Sequence, residues 1–391
     1  MLGIVGKSNT GKSTFFKAAT LIDVEISNRI FTTIKPNVGI AYVTAQCPCK
    51  ELDIKCNPNN SKCISGTRFI PIQLTDIAGL VPDAHNGRGL GNQFLSDIMS
   101  ASALINVIDI SGSTDDDGNP VPVGSHDPIS DVLMLEKELD YWLLGLIKKD
   151  WNAAKSQHNT IELFSKRLSG LGISKNDVKL AMEHLKLSEK IETWSEQDAL
   201  SFVTILRKQA KPSVIAANKI DIGGKDNFDE LQKVFPEKTT LPTSAEIELA
   251  LREAAKHEII NYIPGDSGFS VSNENALTEK QIAALAVIKN FLSIHKSTNV
   301  QEVLNTAAFR VLNMIAVFPV ENESKLSNKK GNVLPDCFLM KKGATALDLA
   351  YQVHEEIGRK FISALNARTR RNVSADYELQ HGDIISIKAG R

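Results

Sequence analysis

The chain has 391 residues, 42% of them hydrophobic and 23% charged, with a formal net charge of −1 at pH 7. That length suits two or three domains with separate cores, and the near-zero charge argues neither for nor against nucleic acid, leaving a local basic surface open. No apolar run approaches the ~18 residues of a membrane-spanning helix, and the N-terminus runs straight into a strand and a glycine-rich loop rather than a signal peptide, so we expect a cytoplasmic protein.

The first element is a short apolar strand over 2–5, and a helix follows from Thr14. Between them lies Gly6-Lys7-Ser8-Asn9-Thr10-Gly11-Lys12-Ser13, the G-x-x-x-x-G-K-[ST] pattern in its strand–loop–helix setting. Glycines let successive backbone N–H groups converge on phosphate oxygens, and the helix N-terminus adds partial positive charge. Lys12 is placed to reach the β- and γ-phosphates, and the Ser13 hydroxyl to ligate Mg²⁺. Ser8 through Thr14 are the expected nucleotide contacts. A plain Gly/Ser turn is the blander reading, and the strand–loop–helix context disfavours it.

A polar segment, 26–34, leads to a β-branched strand at 38–44. A switch threonine is expected in this connection, its hydroxyl on Mg²⁺ and its N–H on the γ-phosphate; Thr33 is the choice and Thr32 the fallback. The segment CPCKELDIKCNPNNSKC holds Cys47, Cys49, Cys56 and Cys63. Two readings stand: a Cys₄ zinc site, or a hairpin tip carrying reduced thiols. The single residue between Cys47 and Cys49 departs from the usual zinc spacing and favours the second reading.

A strand over 69–74 runs into Thr75-Asp76-Ile77-Ala78-Gly79-Leu80. Asp76 at the strand end is expected to hold the Mg²⁺ shell, and Gly79 to bring its N–H to the γ-phosphate. Leu80 stands where many regulatory GTPases carry a water-orienting Gln, so hydrolysis is slow or uses another group. In the loop 82–92, His85 and Arg88 are candidates to place water and neutralise phosphate, against the plainer reading of solvated residues. A helix at 94–100 and a buried strand at 103–110 follow.

From 113 to 209 the periodicity turns helical, with amphipathic segments at 132–149, 161–168, 175–185 and 197–209. We read this as a helical insertion, its tryptophans packing a core; Asp115–Asp117 could bind a cation, though a solvated acidic turn is the plainer reading. The chain re-enters the sheet at 212–217, followed by Asn218-Lys219-Ile220-Asp221. An Asp carboxylate accepts from N1–H and the exocyclic amine of guanine; adenine lacks that donor pair and would leave it unpaired. Asn218 braces the loop and the Lys219 stem lies against the base. A strand at 240–242 reaches Ser244-Ala245-Glu246, a source of backbone contacts to the guanine carbonyl, and a helix at 247–257 closes the unit.

Residues 258–277 read as a linker, with helices at 279–291 and 300–312. Short strands at 315–320, 337–340, 360–364 and 384–388 around one helix, 345–358, suggest a small β-grasp module. Residues 310–391 carry thirteen Lys and Arg against nine Asp and Glu, with clusters at Lys341-Lys342 and Arg368-x-Arg370-Arg371. These clusters suit RNA phosphates or simply a soluble surface. The expected architecture is an α/β P-loop NTPase G domain, a mostly parallel sheet with helices on both faces, over 1–112 and 210–277. The insertion spans 113–209, a helical connector 278–313 and the β-grasp module 314–391.

Together GKSNTGKST, FTTIKPNVG, DIAGLV, HNGRGLGNQFL, NKID and SAE resemble the Obg-like class of translation-factor GTPases, and within it the YchF branch in its archaeal style. FLMKKGATALDLAYQVHEEI and YELQHGDIISI resemble the TGS domain that ends those proteins. The resemblance spans essentially the whole chain. It implies a G domain with a helical insertion, slow hydrolysis and association with ribosomes. It assigns Lys12 and Ser13 to the P-loop, Thr33 to the switch, Asp76 and Gly79 to D-x-x-G, with Lys12, Thr33 and Gly79 acting on the γ-phosphate. It also places a cation ligand of K⁺-activated relatives at Asn9. Several YchF relatives have a degenerate base motif and prefer ATP; this chain keeps Asn218-Lys219-x-Asp221, so we expect GTP. The rival readings are a nucleotide-gated scaffold with negligible turnover and an ATP-preferring Obg-like ATPase. The remaining expectations are GTP/GDP and a ribosome or RNA as partners, no DNA specificity, no membrane, and a monomer.

Overall fold

The computed structural model describes residues 1–21, 37–77, 79, 97, 98, 100–157, 159–273, 275 and 277–390. A seven-stranded sheet carries the first part of the chain: β1 (Leu2–Val5), β2 (Val38–Gln46), β3 (Lys62–Ile64), β4 (Thr67–Asp76), β5 (Ala103–Asp109), β6 (Ser213–Asn218) and β7 (Thr240–Pro242). The spatial order is β2-β4-β1-β5-β6-β7, with β3 beside β4. β4, β1, β5, β6 and β7 are parallel, while β2 lies antiparallel on β4. Parallel strands are covered on both faces and so read as continuous apolar runs; every residue of β1 and of β5, Ala-Leu-Ile-Asn-Val-Ile-Asp, is buried. All functional strand ends, Asp76, Asp109 and Asn218, therefore emerge at one edge of the sheet, where ligands bind in open α/β folds.

The first helices are α1 (Lys12–Thr20) and the one-turn α2 (Pro48–Glu51). Between β5 and β6 lies a helical unit of α3 (Pro128–Lys148), α4 (Trp151–Gln157), α5 (Thr160–Leu168), α6 (Lys175–His184) and α7 (Glu196–Ala210). Leu135, Leu139 and Leu143 recur every four residues along α3 and bury with Phe202, Val203 and Leu206 of α7. Trp194 meets Trp151 and Phe202 edge to face, at centroid distances of 6.1 and 5.1 Å. The tryptophans thus pack the core as expected. Capping boxes at Ser174/Asp177 and Ser195/Asp198 start α6 and α7, satisfying N–H groups that a helix end leaves unpaired.

After β6 come α8 (Lys225–Val234) and α9 (Ala245–Lys256), then a ribbon of β8 (Ile260–Asn261) and β9 (Ser270–Val271). The stretch expected to be a bare linker is therefore partly paired. Next are α10 (Glu279–His295) and α11 (Val300–Asn305), the latter continuing as a π-helical turn, Thr306–Val311. Gln301 and Asn305 stand one turn apart on α11 and so share a face. Gln301 Nε2 donates to the Tyr42 carbonyl at 2.7 Å, and Asn305 Oδ1 accepts from the Thr44 N–H at 2.8 Å. These bonds satisfy outward-facing backbone groups of β2, blunting an edge that would otherwise template pairing.

The C-terminal unit holds β10 (Met314–Val320), β11 (Phe338–Lys341), α12 (Ala346–Val353), α13 (Glu355–Arg359), β12 (Phe361–Asn366), β13 (Arg371–Val373) and β14 (Ile384–Ala389). Its five strands are ordered β11-β10-β14-β12-β13, with β10 and β14 parallel at the centre. One helix was expected over 345–358; it is broken at His354, whose φ of −166° is extended. One face of this sheet packs on α12 through Leu349 and Ala350. The other face shares a core with the large sheet, where Ala316, Phe318 and Ile384 join Val43, Ile70 and Cys47. Arg368, one of the basic residues for which an RNA contact and a soluble surface were both open, pairs with Glu51 of α2.

Candidate nucleotide-binding site

The loop 6–11 turns the chain from β1 into α1. Gly11 has φ +95°, in the left-handed region, and a Cβ there would lie 2.2 Å from Asn218 Nδ2. Only glycine fits, and the close approach has a purpose: Asn218 Nδ2 donates to the Thr10 carbonyl at 2.8 Å. The Asn218 Oδ1 accepts from the Ala245 N–H at 2.9 Å. One buried amide thus ties the phosphate loop to the Ser244–Glu246 loop, both its hydrogen-bonding ends satisfied. Ser244 is buried and caps α9 by accepting from Ile247 N–H, while Glu246 is exposed. Asp221 is exposed and has no hydrogen-bond or ion-pair partner among the described residues. His295 of α10 lies close enough to feel its charge; burial nevertheless lowers the imidazole pKa.

Lys12 is buried, and its Nζ donates to the Lys7 carbonyl at 2.5 Å. Burial pushes the ammonium from 10.5 down to about 8, with Asp76 pulling the other way. A desolvated cation facing a neutral carbonyl is a receptor for an anion. Ser13 Oγ donates to Asp76 Oδ2 at 2.9 Å, bringing together a hydroxyl and a carboxylate, hard oxygen donors that match Mg²⁺. Gly79 faces Ser8, and a Cβ on it would stand 2.7 Å from the Ser8 hydroxyl. The two glycine-bearing loops are therefore in contact. Thr14 follows on the first turn of α1. Thr32, Thr33, Leu80, His85 and Arg88 fall outside the described residues.

Three features lay beyond the sequence reading. Lys7, 2% exposed, points away from the loop's mouth and bonds the Thr114 carbonyl and Asp131 Oδ1, each at 2.8 Å. Asp131 belongs to α3, so the phosphate loop is ion-paired to the helical insertion. Asn9 Nδ2 donates to the Gly118 carbonyl at 2.8 Å, which leaves its Oδ1 as the atom available to a cation. Lys219 Nζ meets Asp109 Oδ2 at 2.8 Å. Burial alone would raise the Asp109 carboxyl, but Lys219 and the hydroxyls of Ser111 and Ser113 hold it below its usual value. In the acidic turn Asp115 accepts from the N–H groups of Asp117 and Asn119, while Asp116 stands near His126 and Asp131.

Family models match the chain in three successive blocks. They are a 50S ribosome-binding GTPase over residues 1–137, an Obg-like GTPase YGR210-like, G4 motif-containing domain over 216–322, and a TGS domain over 327–389. The chain is 49% identical to a GTP-binding protein of Methanocaldococcus jannaschii, covering 99% of this chain and 98% of that one. It belongs to the Obg-like, YchF-type family of P-loop GTPases. A ribosome-binding ATPase, YchF, of Mycoplasma genitalium is 28% identical over 92% of this chain and 86% of that one. A solved GTP-binding protein from Pyrococcus horikoshii superposes with a TM-score of 0.78 at 40% identity, covering 100% of this chain and 99% of the other. In this family member the large sheet and the sheet of the TGS region share one hydrophobic core.

Proposed function

We propose that the chain binds GTP with Mg²⁺ and hydrolyses it slowly to GDP and phosphate, as a conformational switch acting with ribosomes. Lys12 leaves the Lys7 carbonyl for the β- and γ-phosphates, and the bound anion holds its proton to higher pH. Ser13 and Asp76 are the residues that would hold Mg²⁺, with Thr33 joining them in the triphosphate state, and the ion would supply neutralisation of phosphate charge when bound. Water attacks the γ-phosphorus, the bond to the bridging oxygen breaks, and GDP leaves with that electron pair. The Gly79 N–H steadies the γ-phosphate. Leu80 supplies no hydrogen bond to the attacking water, which accounts for a low rate. A K⁺ held by Asn9 Oδ1 would take the place of an arginine finger; equal hydrolysis in NaCl and KCl would remove that part.

The observations that carry the reading are the double tie of Asn218 to Thr10 and Ala245 and an exposed Asp221 carboxylate with no hydrogen-bond or ion-pair partner among the described residues. Such a group rewards guanine and penalises adenine. Ribosome association is supported by the description of the first family model and by the name of the Mycoplasma relative. That relative's name also keeps ATP as a rival nucleotide. Titration of labelled GTP and ATP with Mg²⁺ in K⁺ buffer, repeated with ribosomal subunits and with phosphate release followed, tests the proposal. Tighter ATP binding would overturn the base assignment, and no turnover in either condition would leave a nucleotide-gated scaffold.

A further inference from the structure

The cysteine-rich connection between β2 and β4 has a shape that reduced thiols alone do not require. Cys47 precedes α2 and Cys49 lies within it; Cys56 comes from the following loop and Cys63 from β3. Their four Sγ atoms lie within 4.8 Å of one another. Cys47 and Cys56 are 3.9 Å apart and Cys49 and Cys63 3.7 Å. A zinc ion with four sulfurs at about 2.3 Å sets tetrahedral edges of about 3.8 Å, whereas a disulfide needs about 2.05 Å. The odd spacing, with one residue inside the first pair, arises because two ligands ride one helical turn while the others arrive from separate segments.

A second observation concerns charge. Arg68 of β4 is fully buried, and no carboxylate forms an ion pair with it among the described residues. Its guanidinium donates to Cys47 Sγ at 3.3 Å, to Ser61 Oγ at 2.9 Å and to the Leu334 carbonyl at 3.0 Å, and lies 5.3 Å from the Phe318 ring centre. Asp336 lies close enough to feel the Arg68 charge without pairing with it, and a buried cation without a directly bonded anion is costly. A tetrathiolate around one divalent ion carries a net charge of −2, and a hydrogen bond from Arg68 to a ligand sulfur is the outer-shell contact such centres use.

The same loop makes the contacts that fasten the C-terminal unit. Asn57 and Asn59 N–H groups donate to the Val333 and Pro335 carbonyls, and the Asn60 side chain pairs both backbone groups of Cys337. We propose that Cys47, Cys49, Cys56 and Cys63 bind one Zn²⁺ as a closed tetrathiolate, and that this ion shapes the loop that clamps the TGS sheet to the G-domain sheet. The site is closed in the sense that all four positions are protein sulfurs, which marks a structural rather than a catalytic centre.

The full-length protein, purified under reductant without chelator, is expected to hold about one zinc per chain by elemental mass spectrometry, or to take up about one equivalent when Zn²⁺ is added. Co²⁺ added to the reduced, metal-free protein should give thiolate-to-cobalt charge transfer and the visible bands of a tetrahedral site. The Cys56→Ser/Cys63→Ser variant should lose both signals. Arg68→Met should weaken the metal by about 10–100-fold while Arg68→Lys restores part of it. Metal removal should speed hydrogen exchange in 332–337. Failure of the reduced wild-type protein to take up zinc or cobalt overturns the proposal, as do two disulfides in the native protein or stoichiometric iron in place of zinc.

Discussion

Replacing Lys7 by Met tests whether the phosphate loop is tied to the helical insertion by one buried ion pair. The lysine and Asp131 side chains are 1% and 4% exposed and 2.8 Å apart. Without the ammonium, Asp131 keeps only the His126 Nε2 contact at 2.8 Å, and its Oδ2 has no partner already. Removing one member of such a pair strands a buried charge and costs about 3–5 kcal/mol. The lost bond to the Thr114 carbonyl is part of that figure, since the three groups form one network and do not add. Removing both charges, Lys7→Met with Asp131→Leu, should recover much of the loss, because a hydrophobic pair of like volume is often neutral. Urea unfolding followed by tryptophan emission suits the question, since the chain's three tryptophans, Trp142, Trp151 and Trp194, all lie in the insertion. A Lys7→Met cost below about 1 kcal/mol, or strict additivity in the double variant, would refute the tie.

Three further outcomes follow from the nucleotide site. Asn218→Ala removes the acceptor for Ala245 N–H and the donor to Thr10, leaving two buried backbone groups unmet at about 1–3 kcal/mol each; GTP and GDP affinity should fall together in calorimetric titration. Asp221→Asn should cut the preference for GTP over ATP by about 1.5–3 kcal/mol, the worth of charged hydrogen bonds, and an unchanged ratio would mean the base is read elsewhere. For Lys12, ordinary at 10.5 and depressed to about 8 by burial, phosphate binding restores the proton. Binding should therefore take up protons between those values, and affinity should fall as pH rises through them. Titrations near pH 9 in buffers of different ionisation enthalpy measure that uptake, and its absence there would mean Lys12 is already charged in the free protein.

Local motifs were legible because their chemistry is local: the phosphate loop, D-x-x-G and N-K-x-D fall where strands of the sheet end. What pairs across the fold was not. Lys7 occupies a freely variable position of its motif, and nothing nearby in sequence tells a buried lysine from a solvated one. Asp109 did carry a signal, a carboxylate ending the apolar run Ala-Leu-Ile-Asn-Val-Ile-Asp, yet its partner Lys219 stands 110 residues on. Helix α8 went unread because Lys-Asp-Asn-Phe-Asp-Glu-Leu-Gln-Lys-Val buries only Leu231, too little for an apolar period. Strand β13 is a three-residue edge without a buried residue. The cysteine cluster was hidden for the opposite reason: its spacing is irregular along the chain, and the four sulfurs come together only in space.

Strand β4 relates the two attachments. Its last residue, Asp76, meets Ser13 at the proposed Mg²⁺ position, and its second residue, Arg68, meets Cys47 and Leu334 at the other end. Eight residues of extended chain separate them, about 26 Å. The strand is hydrogen-bonded along its length to β1, β2 or β3, so it behaves as a stiff member rather than a hinge. The insertion, by contrast, touches the phosphate loop itself through Lys7, Asn9 and the contact of Gly118 with Ser8. A ligand shifts an equilibrium only through contacts that differ between its states. Lys12 must leave the Lys7 carbonyl to reach a phosphate, so the first bonds to change lie next to the insertion. The clamp on the TGS sheet lies at the far end of β4 and, among the described residues, shares no side chain with the phosphate loop. On this geometry nucleotide binding should be felt first in the insertion, with hydrogen exchange in the TGS module left unchanged.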